Sequence, residues 1–406
     1  MSRLDELIAE LCPDGVEYKM LGEIATISRG GNFQKKDFCE KGTPCIHYGQ
    51  IYTKYGLFAD KTFTFINNEC AKKQKFAKTN DIIMAITSEN IEDICKCLAW
   101  FGKEDIAISG HSAIIHHYQN PKYLVYYFHS QMFFAQKKKL AHGTKVIEVT
   151  PDKLTSIKIP VPPIEVQKEI VRILDNFTNL TAELTAELTA RQKQYEFYRD
   201  TLLTFDVHGG GTTEVQWKTL GEIGTVCMCK RILKNQTSLS GDIPFYKIGT
   251  FGKKADTYIS QELYDEYRSK YSFPKKGDIL ISAAGTIGKT VVYDGKPAYF
   301  QDSNIVWLAN DETQILNSFL RYWYQTSPWK ASTGGTIARL YNDNIAKTKI
   351  PVIPLNVQER IVNVLDNFEK ICNDLNIGLP AEIEARQNQY EYYRDLLLTF
   401  AENGSI

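Results

Sequence analysis

At 406 residues the chain exceeds what one hydrophobic core serves comfortably, so two or more domains are expected. Its 43% hydrophobic and 24% charged residues are those of an ordinary globular protein, and the absence of any run of 18 apolar residues leaves no membrane-span candidate. The formal net charge of zero hides a segregation: residues 20–162 carry 19 basic against 13 acidic side chains and 207–353 carry 18 against 13, while 1–19, 163–206 and 354–406 are net acidic.

The chain opens with Met1-Ser-Arg-Leu-Asp-Glu-Leu-Ile-Ala-Glu-Leu11, where leucine alternates with charge at helical spacing. That pattern predicts a short amphipathic helix and lacks the unbroken apolar stretch of a signal peptide. Val16–Ile24 follows as a distinctive block. Thr62–Phe65 and Asn80–Thr87 then read as short strands, and Pro121–Leu140 as a helix. From Pro163 to Phe205 every local sign is helical, with an apolar stripe at Ile173, Phe177, Leu180, Leu184, Leu188, Tyr195, Tyr198, Leu202 and Phe205. At ~1.5 Å per residue this is a rod of about 65 Å. Asp206–Thr213, with three consecutive glycines, reads as a hinge.

Beyond the hinge the opening blocks return about 195 residues later. Val16-Glu-Tyr-Lys-Met-Leu-Gly-Glu-Ile24 reappears as Val215-Gln-Trp-Lys-Thr-Leu-Gly-Glu-Ile223, and Ile159-Pro-Val-Pro-Pro-Ile-Glu-Val-Gln167 as Ile350-Pro-Val-Ile-Pro-Leu-Asn-Val-Gln358. Gln194-Tyr-Glu-Phe-Tyr-Arg-Asp200 reappears as Gln389-Tyr-Glu-Tyr-Tyr-Arg-Asp395. The residues between these anchors match poorly. In the second copy Gly277–Ser282 and Val291–Tyr293 read as strands and Gln314–Thr326 as a helix. A second long helix is expected from Pro354 to about Phe400, interrupted at Gly378-Leu-Pro380. Between the Asp-Asn-Phe and Arg-Gln landmarks the second helix is four residues longer than the first, so it is not a straight copy.

The expected fold is α+β: two similar modules separated by two long helices that bury their stripes on each other as an antiparallel coiled coil, with a pseudo-twofold internal repeat. The boundaries are 1–158 for the first module with its N-terminal helix, 159–206 for the central helix, 207–349 for the second module and 350–406 for the distal helix. A frame kept constant around two divergent fillings points to recognition of two different targets.

No enzyme motif survives inspection. Gly285-Thr-Ile-Gly-Lys-Thr290 approaches a phosphate-binding loop, but the residues after it read as strand and turn where a helix N-terminus is required. Asn120-Pro-Lys-Tyr123 is one residue from an amino-methyltransferase motif without the glycine-rich context, and reads as a helix entry. The nine cysteines, Cys95/Cys97 and Cys227/Cys229 included, show no zinc spacing and read as thiols in a reducing cytosol. His111, His116, His117 and His142 read as isolated surface or core histidines.

The doubled Ile-Pro-x-Pro/Ile-Pro-x-x-x-Gln block before each long helix, the Tyr-x-x-Tyr-Arg-Asp endings and the tandem unit Thr181-Ala-Glu-Leu-Thr-Ala-Glu-Leu188 together resemble the specificity (S) subunits of type I restriction-modification systems, over nearly the whole chain. The resemblance implies two target-recognition domains, each reading half of a bipartite site in double-stranded DNA. It also implies a non-catalytic, cytoplasmic scaffold on which methyltransferase (M) and restriction-translocase (R) subunits assemble. No cofactor is expected in this chain; S-adenosylmethionine, ATP and Mg would belong to those partners. Leu180, Leu184, Leu188, Tyr195, Tyr198, Arg199, Tyr390, Tyr393 and Arg394 would form the spacer and partner-docking helices. Each four-residue unit adds ~6 Å and about 40° of net rotation, close to the rotation of one base pair, so the unit count is expected to set the half-site spacing.

For DNA contact the loops rich in Arg, Lys, Asn, Gln, Ser and Thr are the candidates. In the first module they contribute Arg29, Asn32, Lys35, Lys36, Tyr48, Gln50, Lys54, Ser88, Asn90, Thr144 and Lys145. In the second they contribute Lys230, Arg231, Lys247, Lys253, Lys254, Thr286, Lys289, Thr336 and Arg339. Lys137-Lys-Lys139 grips phosphate or merely finishes a helix. A coiled-coil scaffold whose modules bind proteins or glycans is the rival reading; it would need neither the basic fillings nor the tandem helical unit.

Overall fold

A computed structural model describes residues 2–205, 215–329 and 339–403, so the hinge expected at Asp206–Thr213 and the candidate Thr336 lie outside the described residues. The chain forms two compact units, Met1–Thr185 with Glu382–Ile406, and Ala186–Ala381.

In the first unit the helix Arg3–Leu11 forms as its leucine spacing predicts, started by a reciprocal cap between Ser2 and Asp5. Two five-stranded sheets follow. One orders Ala25–Arg29, Ser112–His117, Ile82–Ala85, Cys97–Trp100 and Phe58–Ala59; the other orders Phe38–Cys39, Thr64–Ile66, Thr43–Ile46, Ile106–Ile108 and Lys75–Ala77. Ile82, Ile83, Met84 and Ala85 are all buried, as expected of a short, wholly apolar central strand.

The repeated blocks now acquire physical reasons. Tyr18–Met20 pairs antiparallel with Lys158–Pro160, placing Lys19 opposite Ile159, and so ties the beginning of the module to its end. The glutamine closing the second block, Gln167, is buried and braces the entrance to the long helix. It accepts from Asn120 N (3.0 Å) and donates to Pro162 O and Gln119 Oε1 (both 2.8 Å). Asp175, of the Asp-Asn-Phe landmark, accepts from Tyr126 Oη (2.7 Å) and Lys122 Nζ (2.6 Å), fastening the module to the helix. Phe177 stacks on Tyr393 at 5.3 Å, and the C-terminal segment closes against the first residues through Val16 N to Ala401 O (2.9 Å).

The second unit repeats this construction. Its sheets order Gly224–Met228, Ile305–Asn310, Ile279–Ser282 and Thr290–Val292, and Tyr258–Ile259, Ile243–Tyr246 and Tyr299–Phe300. Gln216–Thr219 pairs with Lys349–Val352, with Lys218 opposite Ile350. Gln358 takes the place of Gln167, accepting from Leu316 N (2.8 Å) and donating to Gln314 O (2.7 Å) and Ile353 O (2.8 Å). Tyr322 Oη donates to Asp366 (2.5 Å), and Arg321 pairs with Glu369. Tyr198 stacks on Phe368 at 5.4 Å and Tyr195 Oη bonds Gln325 (2.9 Å).

The first long helix spans Ile164–Leu202 without interruption. The second breaks where Gly378-Leu-Pro380 predicts: Leu355–Asn373 ends, Asp374 accepts from Asn376 N and Ile377 N, and Leu379–Leu397 restarts. Glycine is required there because a Cβ on Gly378 would lie 2.7 Å from the carbonyl oxygens of Asp374 and Lys370.

Two expectations need correction. Pro121–Leu140 is two helices, Pro121–Phe128 and Gln131–Leu140, because Ser130 caps the second by accepting from Phe133 N. Lys137 is not a phosphate-gripping surface lysine. It is buried, donates to Glu92 O (2.9 Å) and Ile94 O (2.5 Å), and burial holds its pKa below the usual lysine range. The helix entry at Asn120 forms as read, its side chain accepting from Lys122 N (3.0 Å). The near P-loop runs into the strand Thr290–Val292, as the residues after it indicated.

Candidate nucleic-acid interface

The first module's candidate loops meet on one concave face. Two adjoining depressions, of about 540 and 500 Å³, share Lys35 and Tyr48 on their walls. The first gathers Arg29, Asn32, His47 and His111; the second gathers Ser88, Asn90, Thr53 and Val146. Five segments far apart in sequence are thereby brought into one surface. They converge because Ala25–Arg29 pairs with Ser112–His117, Thr43–Ile46 with Ile106–Ile108, and Thr87–Ser88 with Ile147–Glu148.

Aromatic packing shapes the floor. His47 lies 4.6 Å from Tyr48, and Tyr48 lies 4.9 Å from His111, which is exposed. Burial, with Lys35 and His111 nearby, holds the His47 imidazole below its usual pKa, so it stays neutral and its Nδ1 accepts from Gly49 N. Tyr48 is anchored through its backbone N to Ser109 Oγ (2.9 Å). Arg29 donates to Gly110 O (3.2 Å) and forms an ion pair with Glu148 across the loops.

Not every candidate is available. Gln50 is a correction: it is buried, and its Oε1 accepts from His47 N (3.0 Å) and Thr64 Oγ1 (3.2 Å), capping its own short helix. Asn90 caps the following turn, accepting from Asp93 N (2.7 Å). Lys54 lies over the Phe63 ring at 5.7 Å and, with Lys36, Thr144 and Lys145, is exposed outside the two depressions.

The second module has a corresponding depression walled by Lys234, Ser238, Lys247, Gln301 and Asp302. Arg231 pairs with Asp302 (2.9 Å), Lys247 with Asp256 (3.0 Å), and Lys230 lies over Tyr271 at 5.0 Å. Lys289 donates to Phe251 O (2.7 Å) and so braces its own module, while Thr286 is exposed on the same turn. Arg339 donates to Ser303 O (2.8 Å) and Asn304 Oδ1 (3.2 Å). Among the described residues Lys35, Lys36, Lys145, Lys253 and Lys254 form no ion pair, which leaves them as cations for an anionic partner.

On the helices Tyr390 and Arg394 are buried and in cation–π contact at 5.5 Å, so they brace the first unit. Arg199 pairs with the adjacent Asp200, and Leu180 is exposed while Leu184 and Leu188 are half-buried. The candidates Tyr198 and Tyr393 are exposed, and Phe197 and Tyr392, each two residues beyond a repeated tyrosine, are exposed further. His47, Thr53 and His111 line the concave face although the sequence reading did not single them out, and Glu148 reaches it through its ion pair with Arg29; strand pairing places them there. Among the described residues no group of three or more His, Cys, Asp or Glu is disposed to hold a metal ion, and no helix is long and apolar enough to cross a membrane.

Comparison with known proteins gives this construction a family. The chain matches the type I restriction modification DNA specificity domain twice, at residues 13–191 and 213–385. It is 54% identical over 290 residues to a type I restriction enzyme specificity subunit of Haemophilus influenzae, covering 70% of this chain and 73% of that one. It is 36% identical over 272 residues to the Escherichia coli EcoR124I/EcoR124II specificity subunit, covering 61% and 65% respectively. Its fold is like that of a solved chain of a type I restriction-modification system (TM-score 0.63, 18% identity, 97% and 98% coverage) and of the HsdS subunit from Thermoanaerobacter tengcongensis (TM-score 0.55, 18% identity, 98% of both). The chain therefore belongs to the type I restriction-modification DNA specificity family and carries that domain twice.

Proposed function

We propose that this chain is the sequence-recognition and scaffold subunit of a type I restriction-modification complex, each module reading one half of a bipartite site in double-stranded DNA. The observation that carries the reading is the doubled specificity domain whose frame residues, Gln167 and Gln358 or Asp175 and Asp366, repeat their bonds while the concave faces do not repeat their side chains. A constant brace beneath variable loops is what two independently chosen half-sites require.

In this reading the unpaired lysines meet phosphates and set register, while polar groups on the concave faces address base edges. The two long helices pair as an antiparallel coiled coil, hold the modules at a fixed spacing and dock methyltransferase subunits, with restriction-translocase subunits joining them in the cytoplasm. The chain itself is non-catalytic, as specificity subunits generally are. S-adenosylmethionine, ATP and Mg act in the partner subunits. The test is single-molecule methylome sequencing of a methylation-free host expressing the full chain with its methyltransferase subunit. A new bipartite methylated motif supports the reading; assembly of the complex with no new motif refutes it.

A further inference from the structure

The two modules differ in most loop residues, but their hydrogen bonds establish a residue-by-residue correspondence around one turn. Ile46 pairs with Ile108 in the first module as Tyr246 pairs with Phe300 in the second. Tyr48 N donates to Ser109 Oγ (2.9 Å) as Ile248 N donates to Gln301 Oε1 (3.0 Å). Val149 N donates to Ile86 O (3.1 Å) as Leu340 N donates to Ala283 O (2.9 Å). The turn 109–111 therefore corresponds to 301–303, and Glu148 corresponds to Arg339. Arg29, opposite Ala113, corresponds to Met228, opposite Val306.

Both modules bring arginine to this turn, Arg29 in the first and Arg339 in the second from different positions in the repeat, with Arg231 of the second also held there by Asp302. In the first, Arg29 donates to Gly110 O and pairs with Glu148, with 43% of its side chain exposed. In the second, Met228 occupies the first position, and Arg339 takes the place of Glu148 and donates through one terminal nitrogen to Ser303 O and to Asn304 Oδ1, the bond a ligand would displace. The guanidinium has moved across the turn, and the carboxylate that faced it is gone.

A backbone carbonyl occupies one of a guanidinium's five N–H donors and fixes the fork, leaving donors for a ligand. A phosphate contact needs no such fixing, whereas discrimination between bases does. Carboxylates also stand at both turns, Glu148 in the first and Asp302, paired with Arg231, in the second. Such a charge repels a phosphate approaching closely but tolerates an uncharged base edge.

We propose that Arg29 and Arg339 are the specificity-determining residues of their modules, each prepositioned for the two-acceptor O6/N7 edge of a guanine, with Glu148 holding Arg29 until that edge displaces it. This deepens the DNA-recognition reading and rests on it.

The test compares methylomes of the full chain with its methyltransferase subunit as wild type, Arg29→Met, Arg339→Gln and Glu148→Gln. Methionine is chosen because the second module already holds Met228 at the matching place. Wild type is expected to show a G·C pair in each half-site. Arg29→Met is expected to make one such position degenerate in one half only, with discrimination falling roughly 5- to 150-fold, and Arg339→Gln to do so in the other half only. Glu148→Gln is expected to keep the motif and raise methylation at near-cognate sites. Where methylation falls below detection, competition binding of the complex to duplexes with that G·C pair replaced gives the same ratio. Unchanged motifs in both arginine variants, a uniform loss across all sites, or a half-site without G·C overturns the inference while leaving the DNA reading intact. A wild-type complex with no bipartite motif sinks the DNA reading itself.

Discussion

Truncating Gln358 to alanine tests whether the repeated glutamine is the brace of its module. The side chain is fully buried and satisfies three backbone groups, Leu316 N, Gln314 O and Ile353 O, at 2.7–2.8 Å. Each group stranded without a partner costs about 1–3 kcal/mol, and a water admitted to the polar cavity offsets part of that. The expected loss is therefore about 3–5 kcal/mol. With a urea m-value of roughly 3 kcal/mol/M for a unit of this size, the midpoint falls by about 1–1.7 M. Tryptophan fluorescence is the natural assay, since Trp217, Trp307, Trp323 and Trp329 lie in the second unit and Trp100 alone in the first. Gln192→Ala, on an exposed helix face, is the control and is expected to shift nothing. A Gln358→Ala shift below about 0.3 M, less than ~1 kcal/mol, would refute the brace.

Three further outcomes are expected. His117 is buried, its Nδ1 accepts from Gln119 N, and burial lowers its pKa to about 4. The unfolded chain therefore takes up the proton first, so stability is full above pH ~6.5 and about 2 kcal/mol is lost by pH 5. Hydrogen exchange of the Ser112–His117 strand should show that loss, and His117→Asn should flatten it. Lys137→Met strands the carbonyls of Glu92 and Ile94 and is expected to cost about 1–3 kcal/mol in denaturation, whereas Lys138→Ala with Lys139→Ala costs none measurable. Deleting Thr185–Leu188 removes one helical unit and is expected to shorten the methylated motif's spacer by one base pair with both half-sites unchanged; an unchanged spacer contradicts the unit's role.

The frame was readable because its chemistry is written twice. Gln167 and Gln358, or Asp175 and Asp366, must meet the same backbone and tyrosine partners, and only the same residue serves. The break at Gly378 was readable for a similar reason, since the crowding carbonyls of Lys370 and Asp374 exclude a Cβ. The concave faces were readable only as groups of polar loops. Whether a polar side chain faces a partner or its own backbone depends on strand register, which composition does not encode. Gln50 and Lys137 have the chemistry of DNA contacts, yet nearby backbone groups claim both. His111, read as isolated, is carried to the floor beside Tyr48 by the pairing of Ser112–His117 with Ala25–Arg29.

Independent reading of one DNA half-site by each module underlies the proposed function. Its most direct test replaces residues 20–158 with the corresponding segment of a family member of different specificity and sequences the methylome of the resulting complex. The expected product is a motif in which one half-site is exchanged while the other half-site and the spacer persist. A motif altered in both halves, or unaltered in both, would contradict it.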